Sequence, residues 1–192
     1  MSTDPLAWWR ETIGEVAPVG HALRSHFHSN WTRLHSLPES KRYAETEAEY
    51  NEVIRRHTEV ANILFATGEP IFIYRSRLQE CTLIGNEKHE VAGIQLSDLA
   101  MKLRVNPAAV APEDDDHYFV RGLISAWKPT FFEEIVRHVA DEVESSISFV
   151  APRTKNIYCP YDGGMDTFAF SIPPKNLSTR FSRWLSSRAD YL

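Results

Sequence analysis

The chain reads as an α+β domain with a mainly antiparallel sheet, a C-terminal β-meander and helices packed on one face. Three observations predict this. Short apolar or alternating runs suited to strands are interrupted by longer stretches of helical period, and the strands crowd together toward the C-terminus. Asp162-Gly163-Gly164 lies between two apolar runs, a strong hairpin signal because glycine reaches the positive φ angles that tight turns often demand. At 192 residues with 43% hydrophobic content, the chain is long enough to bury a sizeable core as one domain over 1–192, with a possible helical segment over 1–30.

Taken in order, Asp4-Pro5 predicts a helix entry, with Asp as cap and Pro in the first turn. Leu6, Trp9, Ile13 and Val16 follow near helical spacing until Pro18, and a second short helix is expected over Val19 to Phe27. Adjacent Trp8 and Trp9 cannot both be central on one helix face, so one is expected in the core and the other at an edge or facing a partner. Trp31, Arg33 and His35 alternate with Thr32, Leu34 and Ser36 as in a strand. A polar loop over Ser36 to Tyr43 then feeds a long helix at about Ala44 to Ala66. Tyr50, Val53, Ile54, Ala61, Leu64 and Phe65 share one face of that helix. Thr46-Glu47-Ala48-Glu49 has the capping-box pattern, and Thr67-Gly68 closes the run.

Pro70 to Arg75 reads as a strand. Glu80 to Ile84 suits another, Gly85-Asn86 a turn, and Leu96 to Leu103 a short helix. The acidic run Glu113-Asp114-Asp115-Asp116 reads as a solvated connector, since consecutive carboxylates splay apart. His117 to Trp127 predicts a longer strand. After Lys128-Pro129 a helix is expected with Phe132, Ile135, Val136, Val139 and Val143 inward. Strands over Ser146 to Val150, Asn156 to Tyr161 and Asp166 to Ser171 complete the meander, and a final helix carries Leu177, Phe181, Trp184 and Leu185 on one face.

The formal net charge of −5 argues against a general nucleic-acid binder, which would be basic. No apolar run approaches the ~20 residues that span a bilayer, and the N-terminus lacks a signal-peptide pattern, so a cytoplasmic protein with no membrane association is expected. Cys81 and Cys159 are far apart in apolar runs and read as buried, inert thiols. Walker, dinucleotide-binding, G-x-S-x-G and H-E-x-x-H signatures are missing from the sequence, and no metal or other cofactor is expected.

Two stretches are candidates for a binding surface. Tyr161, Asp162 and Asp166 sit at the hairpin, where the two carboxylates either shape the turn by backbone hydrogen bonds or share a divalent cation. Ser40, Lys41 and Arg42 precede the long helix, where they either hold an anion near its N-terminus or pair with nearby glutamates. His57, on the apolar face of that helix, reads as a hydrogen-bonded histidine at the core boundary, the alternative being a catalytic base or ligand.

The tail Ile157-Tyr158-Cys159-Pro160-Tyr161-Asp162-Gly163-Gly164-Met165-Asp166, followed by Trp184-Leu185, resembles a group of uncharacterised bacterial proteins with a domain of unknown function, loosely linked to Rhs-type toxin loci. The stretch Leu34 to Tyr43 with Glu49-Tyr50 is similar to the front half of longer relatives. The resemblance implies a bacterial protein of α+β layout and carries no catalytic residues. The expected function is a non-catalytic protein-binding module of immunity or interaction type. The alternative is a metal-assisted hydrolase on a phosphorylated or anionic substrate, with Asp162 and Asp166 at the metal and Lys41 and Arg42 on the anion.

Overall fold

The computed structural model describes residues 4–78, 90–91, 94–96, 101–105 and 117–186. The expected strand and turn over Glu80 to Asn86, Cys81 and the acidic run at 113–116 lie outside the described residues.

Helix α1 (Pro5–Thr12) starts where Asp4 caps it, the carboxylate accepting from the Leu6 N–H at 2.9 Å. Helix α2 (Gly20–His26) follows, then strand β1 (Trp31–His35). The long helix α3 (Glu47–Leu64) begins three residues inside the expected range and ends two residues inside it. Thr46 Oγ1 accepts from the Glu49 N–H, and the Glu49 carboxylate turns back to the Glu45 N–H rather than to Thr46 itself. Strand β2 (Pro70–Arg77) comes next, then a short pair, β3 (Glu90–Val91) and β4 (Ile94–Gln95), and strand β5 (Met101–Arg104). The helix expected over Leu96 to Leu103 is corrected over Met101 to Leu103, residues 97–100 lying outside the described ones. Met101 and Leu103 are buried and Lys102 is exposed, and this period of two belongs to a strand paired with β6 (His117–Ala126). Helix α4 (Pro129–Ala140) and strands β7 (Ile147–Val150), β8 (Ile157–Tyr161) and β9 (Gly164–Phe168) follow, closed by helix α5 (Pro174–Arg180). Helix α4 ends before Val143, which is 66% exposed rather than inward. Trp184 and Leu185 lie beyond α5 in a tight turn and the residue after it.

A seven-stranded antiparallel sheet runs β1-β9-β8-β7-β2-β6-β5, so the expected meander β7-β8-β9 occupies adjacent places. Because side chains alternate across a strand, each central strand feeds two cores. On one face Ile71, Ile73, Phe149, Tyr158 and Met165 pack with Val60, Leu64, Phe132, Ile135, Leu177 and Phe181 from α3, α4 and the α5 region. On the other, Phe72, Tyr74, Val150, Ile157, Cys159 and Phe168 pack with Trp8, Trp9 and Leu23 from α1 and α2. The expectation of helices on one face therefore holds for α3, α4 and α5, while α1 and α2 cover the second face.

That second layer also settles the adjacent tryptophans, both of which are buried. Trp8 meets the Phe72 ring edge-on at 5.4 Å and Trp9 meets Tyr74 at 5.0 Å, while the Trp9 indole N–H donates to the Val16 carbonyl at 2.9 Å. The two edge-on contacts let both large rings reach the sheet from neighbouring positions of α1.

Candidate functional site

Strands β1, β8 and β9 put the candidate side chains together. Across these strands Arg33 is opposite Asp166, which is opposite Cys159, so all three side chains share the face covered by α2. Asp166 is 2% exposed. Its Oδ1 accepts from the Trp31 indole N–H at 2.7 Å and from Arg33 Nε at 2.8 Å, and its Oδ2 accepts from Arg33 Nη2 at 2.8 Å. A bidentate arginine plus an indole donor is what a buried carboxylate requires. The Arg33 guanidinium also lies 4.9 Å from the Tyr161 ring centroid. Gly20, the first residue of α2, approaches so closely that a Cβ there would sit 2.6 Å from Asp166 Oδ2. A cleft of about 170 Å³ beside the pair is lined by Gly20, His21, Arg33, Cys159, Tyr161 and Asp166 among others. Burial, reinforced by Asp166, pushes the Cys159 thiol well up, so it is neutral and unreactive at ordinary pH.

Asp162 occupies a different setting. The β8–β9 hairpin turns through Asp162 and Gly163, with Tyr161 paired to Gly164. Neither glycine uses a left-handed backbone, contrary to the reasoning from positive φ. Gly164 is needed for space: a Cβ there would collide with the Leu34 carbonyl oxygen and lie 2.8 Å from the Tyr161 hydroxyl. Asp162 Oδ1 accepts from the Gly163 N–H at 2.9 Å, and Oδ2 accepts from Arg42 Nε at 2.7 Å. This clasp brings the 36–43 loop against the hairpin. Beside it Tyr43 is 43% exposed, lies 5.1 Å below the Arg42 guanidinium and donates to Glu142 at 3.2 Å.

The remaining candidates are placed as follows. Lys41 donates to Glu45 at 3.0 Å and to Glu49 at 2.6 Å, which raises the Lys41 pKa, so its charge is committed to the start of α3. Ser40 has φ 57 and lines a cleft with His35, Leu37, Arg183 and Trp184. Asp162 and Asp166 are each held by a separate arginine, one at the hairpin tip and one inside the sheet face. Among the described residues no group of three or more His, Cys, Asp or Glu is arranged to hold a metal ion.

His57 lies deep in the core rather than at its boundary. Its Nε2 is 2.7 Å from Ser36 Oγ and its Nδ1 is 2.6 Å from the Tyr158 hydroxyl. Burial lowers its pKa to about 3, so the neutral ring joins helix α3 to β1's exit and β8. Sequence reasoning missed Ser36 and Tyr158 as its partners, and Arg33, Trp31 and Gly20 as those of Asp166. A signal for the latter existed: an arginine on the inward phase of a strand needs a carboxylate.

The model of a domain of unknown function, DUF3885, matches residues 19–189 of this sequence. The chain belongs to the DUF3885 family. Neither the curated proteins nor the solved structures contain a match to it. The DUF3885 match spans β1, the α3 helix and the whole meander, and thus takes in both the Arg33–Asp166 pair and the Arg42–Asp162 clasp. No helix among the described residues is long and apolar enough to cross a membrane.

Proposed function

We propose that this DUF3885 protein is a non-catalytic protein-binding module of immunity or interaction type. The reading rests on the Arg42–Asp162 clasp, which joins the 36–43 loop and the hairpin into one surface carrying Arg42, Tyr43 and Tyr161. Arginine and tyrosine are the side chains that anchor protein interfaces. The surface offers them on a turn whose backbone is fixed from beneath by Gly164 and Leu34. We also take the Pro160-Tyr161-Asp162-Gly163-Gly164 turn with its following Asp166 as the recognition mark of the family, and 1–192 as one unit, since both cores are built on one sheet.

The metal-assisted hydrolase is the weaker reading. Its two carboxylates face different arginines, so a shared cation would have to displace one of them. The test is affinity capture from the native host with the wild-type chain and with Arg42→Glu and Tyr43→Ala. Tyr43 is 43% and the Arg42 side chain 62% exposed, so Tyr43→Ala should melt near the wild type and Arg42→Glu, which opens the exposed pair with Asp162, should cost no more than about 1 kcal/mol. We expect one stoichiometric partner that both variants lose. A partner retained by both, or metal-dependent hydrolysis abolished by Asp162→Ala, overturns the reading.

A further inference from the structure

The two edges of the sheet are treated differently. At β5 the segment Glu15 to Ala17 covers the outer side: the Arg104 N–H donates to the Glu15 carbonyl at 3.1 Å and the Ala17 N–H donates to the Arg104 carbonyl at 2.8 Å. At β1 the outer side is uncovered among the described residues. The Ala169 N–H donates to the Asn30 carbonyl and the Ser36 N–H to the Gly163 carbonyl, so even-numbered residues of β1 bond to β9 and odd-numbered ones point their backbone outward. Trp31 spends its N–H on the His28 carbonyl, and the His35 carbonyl accepts from Arg56 at 3.2 Å. The Trp31 carbonyl, the Arg33 N–H and carbonyl, and the His35 N–H remain without partners among the described residues. This is the set that one incoming strand, centred opposite Arg33, would satisfy.

Grooves flank this edge. One, of about 270 Å³, is lined by Trp31, Thr32, Arg33, Pro174, Lys175 and Leu185 among others. A second, of about 350 Å³, continues past His35 to Leu37, Ser40 and Arg183. His35 Nε2 is buried beside it with no hydrogen-bond partner among the described residues. The charge along the edge is positive in a chain of net −5. Lys175 and Arg183 are exposed with no ion-pair partner among the described residues, and Arg24, also unpaired among them, lies over the Trp31 ring at 5.5 Å. Among the described residues Glu39 is the carboxylate lining either groove.

We propose that the β1 edge captures an extended, acidic peptide segment of a partner protein by strand addition, its backbone pairing with Trp31, Arg33 and His35 and its carboxylates meeting Lys175 and Arg183. This rests on the protein-binding reading and extends the clasp surface along β1 into the 36–43 loop.

A display library of random peptides, selected on the intact chain, tests it. Selected peptides should be acidic and should slow hydrogen exchange at the Arg33 and His35 amides. Proline is tolerated on an edge where its missing N–H faces outward, so His35→Pro removes one acceptor contact of the peptide and no bond of the sheet. It should weaken those peptides at least about tenfold, with His35→Ala weakening them less than about threefold. Lys175→Gln with Arg183→Gln should also weaken them and flatten most of their salt dependence, which keeps the test intact if the proline variant fails to fold. Selection of no peptide, peptides without acidic bias, or peptides that leave both amides exchanging freely overturns strand addition. A concentration-dependent dimer that protects the same amides without peptide overturns the acidic occupant in favour of a second copy. Peptides that protect only the Arg42–Asp162 turn overturn strand addition and leave the protein-binding reading standing.

Discussion

Asp166 and Arg33 form a pair whose worth depends on which partner is removed. A buried ion pair gains little over apolar replacements, but stranding one charge costs about 3–5 kcal/mol. Arg33 keeps 16% side-chain exposure, so Asp166→Ala should cost near the lower end, about 3 kcal/mol by urea unfolding. Arg33→Met with Asp166→Leu should recover most of that loss, retaining about 1 kcal/mol for the Trp31 indole N–H left without its acceptor. A single variant within ~1 kcal/mol of wild type would show that water reaches the guanidinium. His57 makes a prediction of opposite character. Its folded pKa of about 3 lies below the unfolded value of 6.5, so the unfolded chain binds the extra proton and stability falls as pH drops from 6.5 toward 3. Above 6.5 the contribution is flat. At pH 5 this group alone should have removed about 2 kcal/mol relative to pH 7. Urea midpoints measured at both values should therefore fall further for wild type than for His57→Gln, and equal falls would place the acid sensitivity elsewhere.

At the scale of elements, the hairpin separates conformational from steric demands on glycine. A methyl group on Gly163 would meet Tyr161 Cε2 at 3.3 Å and Arg42 Cγ at 3.4 Å, both on side chains that can yield. One on Gly164 would run into a carbonyl of β1, which cannot move without opening the β1–β9 ladder. Gly163→Ala should thus change stability by less than about 1 kcal/mol, whereas Gly164→Ala should cost several times more and loosen β1. Thermal melts of the two variants, with exchange at the Leu34 amide as a local readout, check this; matching melts would remove the steric account. The hairpin itself was legible because apolar runs bracket Asp162-Gly163, as was α3 from its face and from Thr46 and Glu49. The reason for Gly164 was not, because the Leu34 carbonyl arrives from a strand more than a hundred residues earlier. The Met101–Arg104 strand was misread for a related cause: four residues give too few periods to separate 2.0 from 3.6, and its pairing with His117 to Val120 is what decides.

For the molecule as a whole, the sequence carried the class and the meander, while strand order and the second helical layer depended on long-range pairing. Trp8 and Trp9 illustrate it: their spacing on α1 excluded a shared central face, and only the Phe72 and Tyr74 rings beneath them show why both are covered. The same two-sided burial predicts how stability is distributed. Strand β2 lies between β7 and β6, with Ile71 and Ile73 in one core and Phe72 and Tyr74 in the other, and all four are 3% exposed or less. Opening its amides requires separating both helical layers from the sheet, so they should exchange only through global unfolding. At β1 the even-numbered amides of Thr32 and Leu34 are tied to β9, while those of Arg33 and His35 face outward. Native-state hydrogen exchange should therefore show β2 amides at the global free energy, Thr32 and Leu34 below it, and Arg33 and His35 exchanging fastest within β1. Uniform protection along β1 would mean that its outer side is already covered in solution, and the sheet would then have no open edge at which a partner strand could add.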